Sequence, residues 1–259
     1  MWSTSRLCPL ALLLLTLIPA SAAAQAKPAG SAPSDEAAAS YNRGVILYQS
    51  RRYAEASEAF RGAIKLSPGY AAAYNALGSA LMDQGLHEEA ADSLRQAIRH
   101  NPNAVEFQRN LALAYHHAGR EREAVETLLR VTRLKPDYDK AHNDLGVIYA
   151  ELGEHERAFA SFREAVRVNP GFAQALNNLG CAYFRAGRRK DALEAFRQAV
   201  EMKPDYAAAR LNLGLAHLSR RGKDEALEQY AELKRLDPEM ASQLYGSIYQ
   251  DMLVEAPRQ

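Results

Sequence analysis

Residues 173–206, AQALNNLGCAYFRAGRRKDALEAFRQAVEMKPDY, decide how the rest of the chain is read. Apolar residues recur at helical spacing on both sides of Gly187, and Pro204 closes the stretch. The segment therefore predicts two helices joined by a short turn. The same layout returns every 34 residues, six times, without gap or insertion. Pro68, Pro102, Pro136, Pro170, Pro204 and Pro238 fall on this period, and so do Ala56, Ala90, Ala124, Ala158, Ala192 and Ala226. Four residues after each of these alanines stands a large side chain: Phe60, Leu94, Leu128, Phe162, Phe196 or Tyr230. A period of this length signals stacked helical units, none of which can bury its apolar face alone.

Each column has a physical task. The small residues Gly44, Gly78, Ala112, Gly146, Gly180 and Gly214 allow two helices to approach closely, and the alanine column of the second helix is expected to face them. Leu77, Leu111, Leu145, Leu179 and Leu213 precede that position, and Tyr115, Tyr149 and Tyr183 lie three residues beyond it, which completes an apolar stripe. The second helix buries its large column and, three residues on, Ala63, Ala97, Val131, Ala165, Ala199 and Leu233. Each proline ends a second helix. Gly85, Gly119, Gly153 and Gly187 mark the turn inside the hairpin, where a positive φ costs glycine little.

These columns resemble the tetratricopeptide repeat, whose pattern runs large residue, Leu-Gly, Tyr, Ala, aromatic, Ala, Pro at set offsets. The resemblance covers residues 37–240 as six repeats: 37–70, 71–104, 105–138, 139–172, 173–206 and 207–240. It implies an all-α, right-handed superhelical solenoid. The first repeat departs from the pattern at Ser40, Arg43 and Arg51, and the last at Arg210, His217 and Arg221, as expected of end repeats that lack one neighbour. Residues 241–255 carry Leu244, Ile248 and Met252 on one stripe and no basic face, so they read as a capping helix rather than a membrane-surface helix.

Ahead of the repeats, Met1 to Arg6 holds one cation, Leu7 to Ile18 is apolar, and Ala20 to Ala26 is small-residue-rich. This is the layout of a secretory signal, residues 1–24, with cleavage near Ala24. The apolar run of 12 residues is short of the roughly 20 needed to span a bilayer. The expectation is an exported chain, periplasmic or extracellular, with an uncleaved N-terminal membrane anchor as the alternative and no membrane span once the signal is removed. Residues 25–36 read as a flexible linker. Cleavage removes Cys8 and leaves Cys181 alone, which rules out an intrachain disulfide and suits a small apolar residue in a helix, with an intermolecular bridge or redox handle as the alternative.

Composition narrows the function. Lys plus Arg number 32 and Asp plus Glu 31, so no net field draws the chain to nucleic acid. There is no phosphate loop, nucleophile elbow or metal-ligand spacing, and His116-His117 point about 100° apart on a helix, too far to chelate one metal well. The chain is expected to be no enzyme and to need no cofactor.

The resemblance places function in a concave groove lined by the first helix of each repeat. The family's carboxylate clamp is missing: Arg109 and Lys140 are the nearest basic residues to its positions, and Leu113 stands where its Asn belongs. The asparagine ladder of the O-linked N-acetylglucosamine transferase repeats, which binds an extended peptide backbone, is partly present. Asn42, Asn110, Asn178 and Asn212 hold the sixth place of their repeats, with Ala76 and Asp144 interrupting. A carboxamide offers donor and acceptor together and can pair with a backbone. The same asparagines equally serve local hydrogen bonding, and both readings stand at this level. Tyr48, Met82, His116, Phe184, Leu215 and Leu218 are expected beside them in the groove, an apolar mixture that favours a protein partner, with cover by the last helix as the alternative for Leu215 and Leu218. On the ladder reading, replacing Asn110 and Asn178 with Ala weakens binding and spares stability. The implied function is an exported scaffold for an extended or helical segment of another protein. The alternatives are an envelope polymer-binding or assembly factor and a non-catalytic enzyme subunit.

Overall fold

The computed structural model describes residues 33–255, all of whose regular structure is helical. Helices α1 (Asp35–Gln49), α2 (Tyr53–Leu66), α3 (Ala71–Met82), α4 (His87–His100), α5 (Val105–His117) and α6 (Glu121–Leu134) form one compact unit that ends at Asp137. A second unit begins at Tyr138 and holds α7 (Asp139–Glu151), α8 (His155–Val168), α9 (Ala173–Arg185), α10 (Arg189–Met202), α11 (Ala207–Leu218), α12 (Lys223–Leu236) and α13 (Pro238–Glu255). Consecutive helices pair as hairpins, α1 with α2 through α11 with α12, which makes three repeats in each unit. The expected all-α repeat architecture is therefore present. The signal segment and most of the linker lie outside the described residues. Helix α1 takes the last two residues of the expected linker, because Ser34 caps it by accepting the Ala37 N–H at 3.2 Å.

The period explains where helices stop. The residue before each proline leaves the helical region, as at Ser67 (φ −141°, ψ 86°) and Lys203 (φ −139°, ψ 88°), because the proline ring crowds the backbone ahead of it. Pro238 differs in opening α13, a position where its missing N–H is not needed. Asp237 Oδ1 accepts the N–H groups of Glu239 and Met240 at 3.1 and 3.0 Å and caps that start. Gly187 turns its hairpin at φ 74°; Arg51 and Arg221 do the same work in the end repeats at φ 58° and 63°.

Between the helices of a hairpin, the small column receives the large column and not the alanine column. A methyl added at Gly146 would lie 2.5 Å from the Phe162 ring, and one at Gly180 would lie 2.6 Å from Phe196. The missing Cβ is the socket in which the large residue sits. Between repeats, a small second-helix residue lets two first helices close over it: Ala97 is buried with Ala71 of its own repeat and Phe107 of the next. Ala199 plays the same part among Leu176 and Ala209.

The last repeat breaks this rule. Tyr230 does not fill the socket over Gly214; Leu244 of α13 fills it, and a methyl at Gly214 would meet Leu244 at 2.6 Å. Tyr230 is partly buried at the edge of the cluster that Leu244 enters and stacks on Tyr245, with ring centroids 5.0 Å apart. Leu244 and Ile248 join Leu211, Leu215 and Leu233 in one buried cluster, with Leu218 packed against it. Helix α13 thus caps the second unit, and it covers Leu215 and Leu218, the alternative to their place in the groove. Among the described residues no helix is long and apolar enough to cross a membrane.

Candidate functional site

In each unit the first helices of neighbouring repeats touch directly: α1 with α3 and α3 with α5, then α7 with α9 and α9 with α11. They form a row on one side of the unit, and the asparagines sit along it. Asn110 Nδ2 donates to Asn75 Oδ1 at 2.8 Å, Asn178 Nδ2 to Asn143 Oδ1 at 3.0 Å, and Asn212 Nδ2 to Asn177 Oδ1 at 2.9 Å. In each case the sixth place of one repeat bonds to the fifth place of the repeat before, 35 residues earlier. The asparagines are clasps between repeats.

This rule accounts for the members that differ. Asn42 belongs to the first repeat, has no earlier repeat to bond, and is exposed. Ala76 offers nothing to Tyr41, whose buried hydroxyl has no hydrogen-bond partner; burial pushes that phenol up to about 12, with nearby Tyr70 adding to the shift. Asn110 is 3% exposed, and losing its amide would strand Asn75, which is equally buried. The expectation that Asn110 could be removed without cost to stability is therefore corrected. Asn178 is only half-buried, and its one hydrogen bond uses an N–H, which leaves its Oδ1 unclaimed. Asn212 Oδ1 also lacks a partner, although it is buried.

The remaining candidates divide by environment. Tyr48 is half-buried at the end of α1 and donates its hydroxyl to Asp83 Oδ2. Burial, then that carboxylate, raises the phenol above its usual range, and burial also raises the Asp83 carboxyl. Met82 is half-buried beside them. Arg109 and Asp144 are buried in their respective units, whereas Lys140 is exposed. Phe184 is half-buried under the guanidinium of Arg189, 4.9 Å above its ring centre. Cys181, also half-buried, receives a long N–H contact from Asn212 at 3.4 Å.

The histidine pair has a third member that the sequence did not suggest. His87 opens α4 and stacks on His117 at 5.2 Å, while His116 leans on His117 at 5.4 Å and bonds Glu121 Oε2 through Nδ1 at 2.8 Å. Burial, then His116 and His87, lowers the His117 pKa. Among the described residues no three His, Cys, Asp or Glu side chains converge as a metal site would require. The fifth-place partners Asn75, Asn143 and Asn177 were also missed. Their signal was the Asn spacing of 35, one more than the period.

A row of first helices tied by side-chain clasps, with no catalytic constellation among the described residues, defines a helical-repeat scaffold. Profiles described as tetratricopeptide repeat match residues 75–139, 177–241 and 140–205, and one described as TPR repeat matches 44–85. The chain belongs to the tetratricopeptide-repeat family, typically scaffolds for protein–protein interaction, and no enzyme family was found. No curated protein matches it.

Solved structures share the fold. PilF of Pseudomonas aeruginosa is 17% identical, with 83% of this chain and 99% of that one covered and a TM-score of 0.67. The thermophilic TPR protein TTC0263 of Thermus thermophilus is 25% identical, covering 70% and 99%, with a TM-score of 0.60. The APC/C hetero-tetramer Cut9-Hcn1 is 20% identical over 82% of this chain, with a TM-score of 0.67, and this chain spans 42% of that chain's length.

Proposed function

We propose that this protein is an exported adaptor that holds an extended or helical segment of another protein against the row of first helices. The observation that carries the reading is Asn178. It is the half-exposed member of a clasp, its N–H serves the scaffold, and its acceptor is unclaimed. A backbone N–H of a bound segment supplies the complement. Neighbouring first helices lie about 8–10 Å apart, roughly three residues of extended chain, so successive repeats meet a segment at regular intervals. Phe184, on the same helix as Asn178, adds half-buried apolar surface, and Tyr48 and Met82 do so on the first helices of the other unit, which favours a peptide over a sugar. Export rests on the charge, apolar run and small residues of the first 26 positions.

Affinity capture from an envelope extract tests the reading. Recovery of one stoichiometric protein, lost when Asn178 and Phe184 are replaced with Ala, supports an adaptor. Retention of glycan without protein overturns it. N-terminal sequencing tests export: Gln25 as first residue agrees with cleavage, and an intact Met1 does not.

A further inference from the structure

The hairpin turns of the second unit change sign along the stack. The turn between α7 and α8 is acidic, with Glu151, Glu154 and Glu156, and its Arg157 is held by Glu154 at 2.6 Å. In the next two turns, residues 184–190 hold four cations and residues 218–223 hold three, and neither stretch contains a carboxylate. Arg188 is neutralised by Asp191 at 2.7 Å. The other six, Arg185, Arg189, Lys190, Arg220, Arg221 and Lys223, have no carboxylate of the described residues within 4.0 Å, and all but Arg185 are exposed.

Apart from the stacking of Arg189 on Phe184, local stability does not explain these charges. Arg189 and Lys190 open α10 and Lys223 opens α12, the helix ends where the backbone dipole disfavours a cation. Arg221 occupies the left-handed turn position at φ 63°, where Gly187 stands one repeat earlier and where a side chain is strained. The patch also continues the row of first helices, since Arg189 covers Phe184 and Arg185 is the next residue of α9.

The geometry points to this edge of repeats 5 and 6 as the docking surface for an acidic stretch, rich in Asp and Glu, that flanks the segment held on the first helices. The inference rests on the adaptor reading for its place in the complex, and its chemistry stands on the charges alone. Guanidinium groups suit carboxylates because their planar N–H pairs match both oxygens. The acidic stretch lies at the repeat-6 end of the segment, away from the glutamates of the α7–α8 turn.

The test uses the full chain and a fluorescent peptide of about ten glutamates, with a lysine peptide as control. Reversing Arg189, Lys190, Arg220 and Lys223 to Glu is expected to weaken glutamate-peptide binding by about tenfold or more at low salt, with wild-type binding falling as salt rises. Reversing Arg43, Arg99, Arg130 and Arg133, exposed residues of the other unit, makes the same net change and is expected to leave binding within about threefold. Circular dichroism checks that both variants fold. Equal losses in the two variants overturn the site, as does patch-dependent binding to phosphatidylglycerol vesicles or single-stranded DNA without binding to the peptide. Asn178→Ala is expected to leave the glutamate peptide bound, so a failed groove and a failed edge give different results.

Discussion

Asn178 gives one amide hydrogen to Asn143, 35 residues earlier, at 3.0 Å, and the same bond joins Asn110 to Asn75 and Asn212 to Asn177. This polar bond fixes how repeat 3 seats on repeat 2, repeat 5 on repeat 4 and repeat 6 on repeat 5. The energy of each clasp depends on burial. A satisfied bond is worth about 1 kcal/mol, whereas a buried group stranded by loss of its partner costs about 1–3 kcal/mol. Asn110→Ala strands Asn75 and Asn178→Ala strands Asn143, and both partners are buried, so each substitution is expected to cost about 1–3 kcal/mol in urea unfolding. A double-mutant cycle of Asn143 and Asn178 is expected to return a coupling of about 1 kcal/mol. Zero coupling would mean the clasp is not formed in solution.

Gly146 and Phe162 form a socket that leaves no room for a methyl. Gly146→Ala is expected to destabilise the chain by about 1–3 kcal/mol through overpacking. Repeat 3 carries Ala112 and Leu128 in these two columns. Adding Phe162→Leu to Gly146→Ala rebuilds that pair and is expected to recover part of the loss. Thermal melts of the single and double variants check it, and a double variant no better than the single would contradict the socket.

Burial, then His116 and His87, holds the His117 pKa below its usual 6.5, and Glu121 opposes the shift. The unfolded chain therefore binds a proton that the folded chain resists, so stability rises with pH through this window. As pH falls below about 6.5, unfolding becomes easier, until the folded group is protonated as well. His117→Gln is expected to lose less Tm than wild type between about pH 8 and pH 5. An unchanged drop would show that other groups, such as His217, whose pKa burial also lowers, dominate the acid sensitivity.

Leu244 fills the socket over Gly214 that Tyr230 leaves empty, and it is fully buried. Leu244→Ala is expected to cost about 2–5 kcal/mol. Hydrogen exchange should localise the loss to α11, α12 and α13. A variant with wild-type protection there would show that α13 is not a structural cap.

The repeats were legible because a fixed period exposes every packing column at once: the buried Phe60, Leu94, Leu128, Phe162 and Phe196 are the large residues found from spacing alone. What faces what was less legible. Gly146 was matched with the alanine column, but periodicity gives the face of a helix and not the depth to which a partner reaches into it. Tyr230 kept its column in the sequence and lost its socket to Leu244, because α13 has no counterpart in the earlier repeats. The groove asparagines were read singly. A bond between columns appears only when two repeats are laid side by side, and then Asn143 and Asn178 fall together. The stacking of His87 on His117 joins α4 to α5, and no motif of either helix announces it.

The most direct test of the adaptor reading places a photo-reactive benzoylphenylalanine at position 184, beside the clasp row, or at position 160, exposed on the second helix α8. Irradiation in an envelope extract is expected to join one protein to the chain from position 184 and none from position 160. Equal labelling from both positions, or none from 184, would contradict a segment held against the first helices.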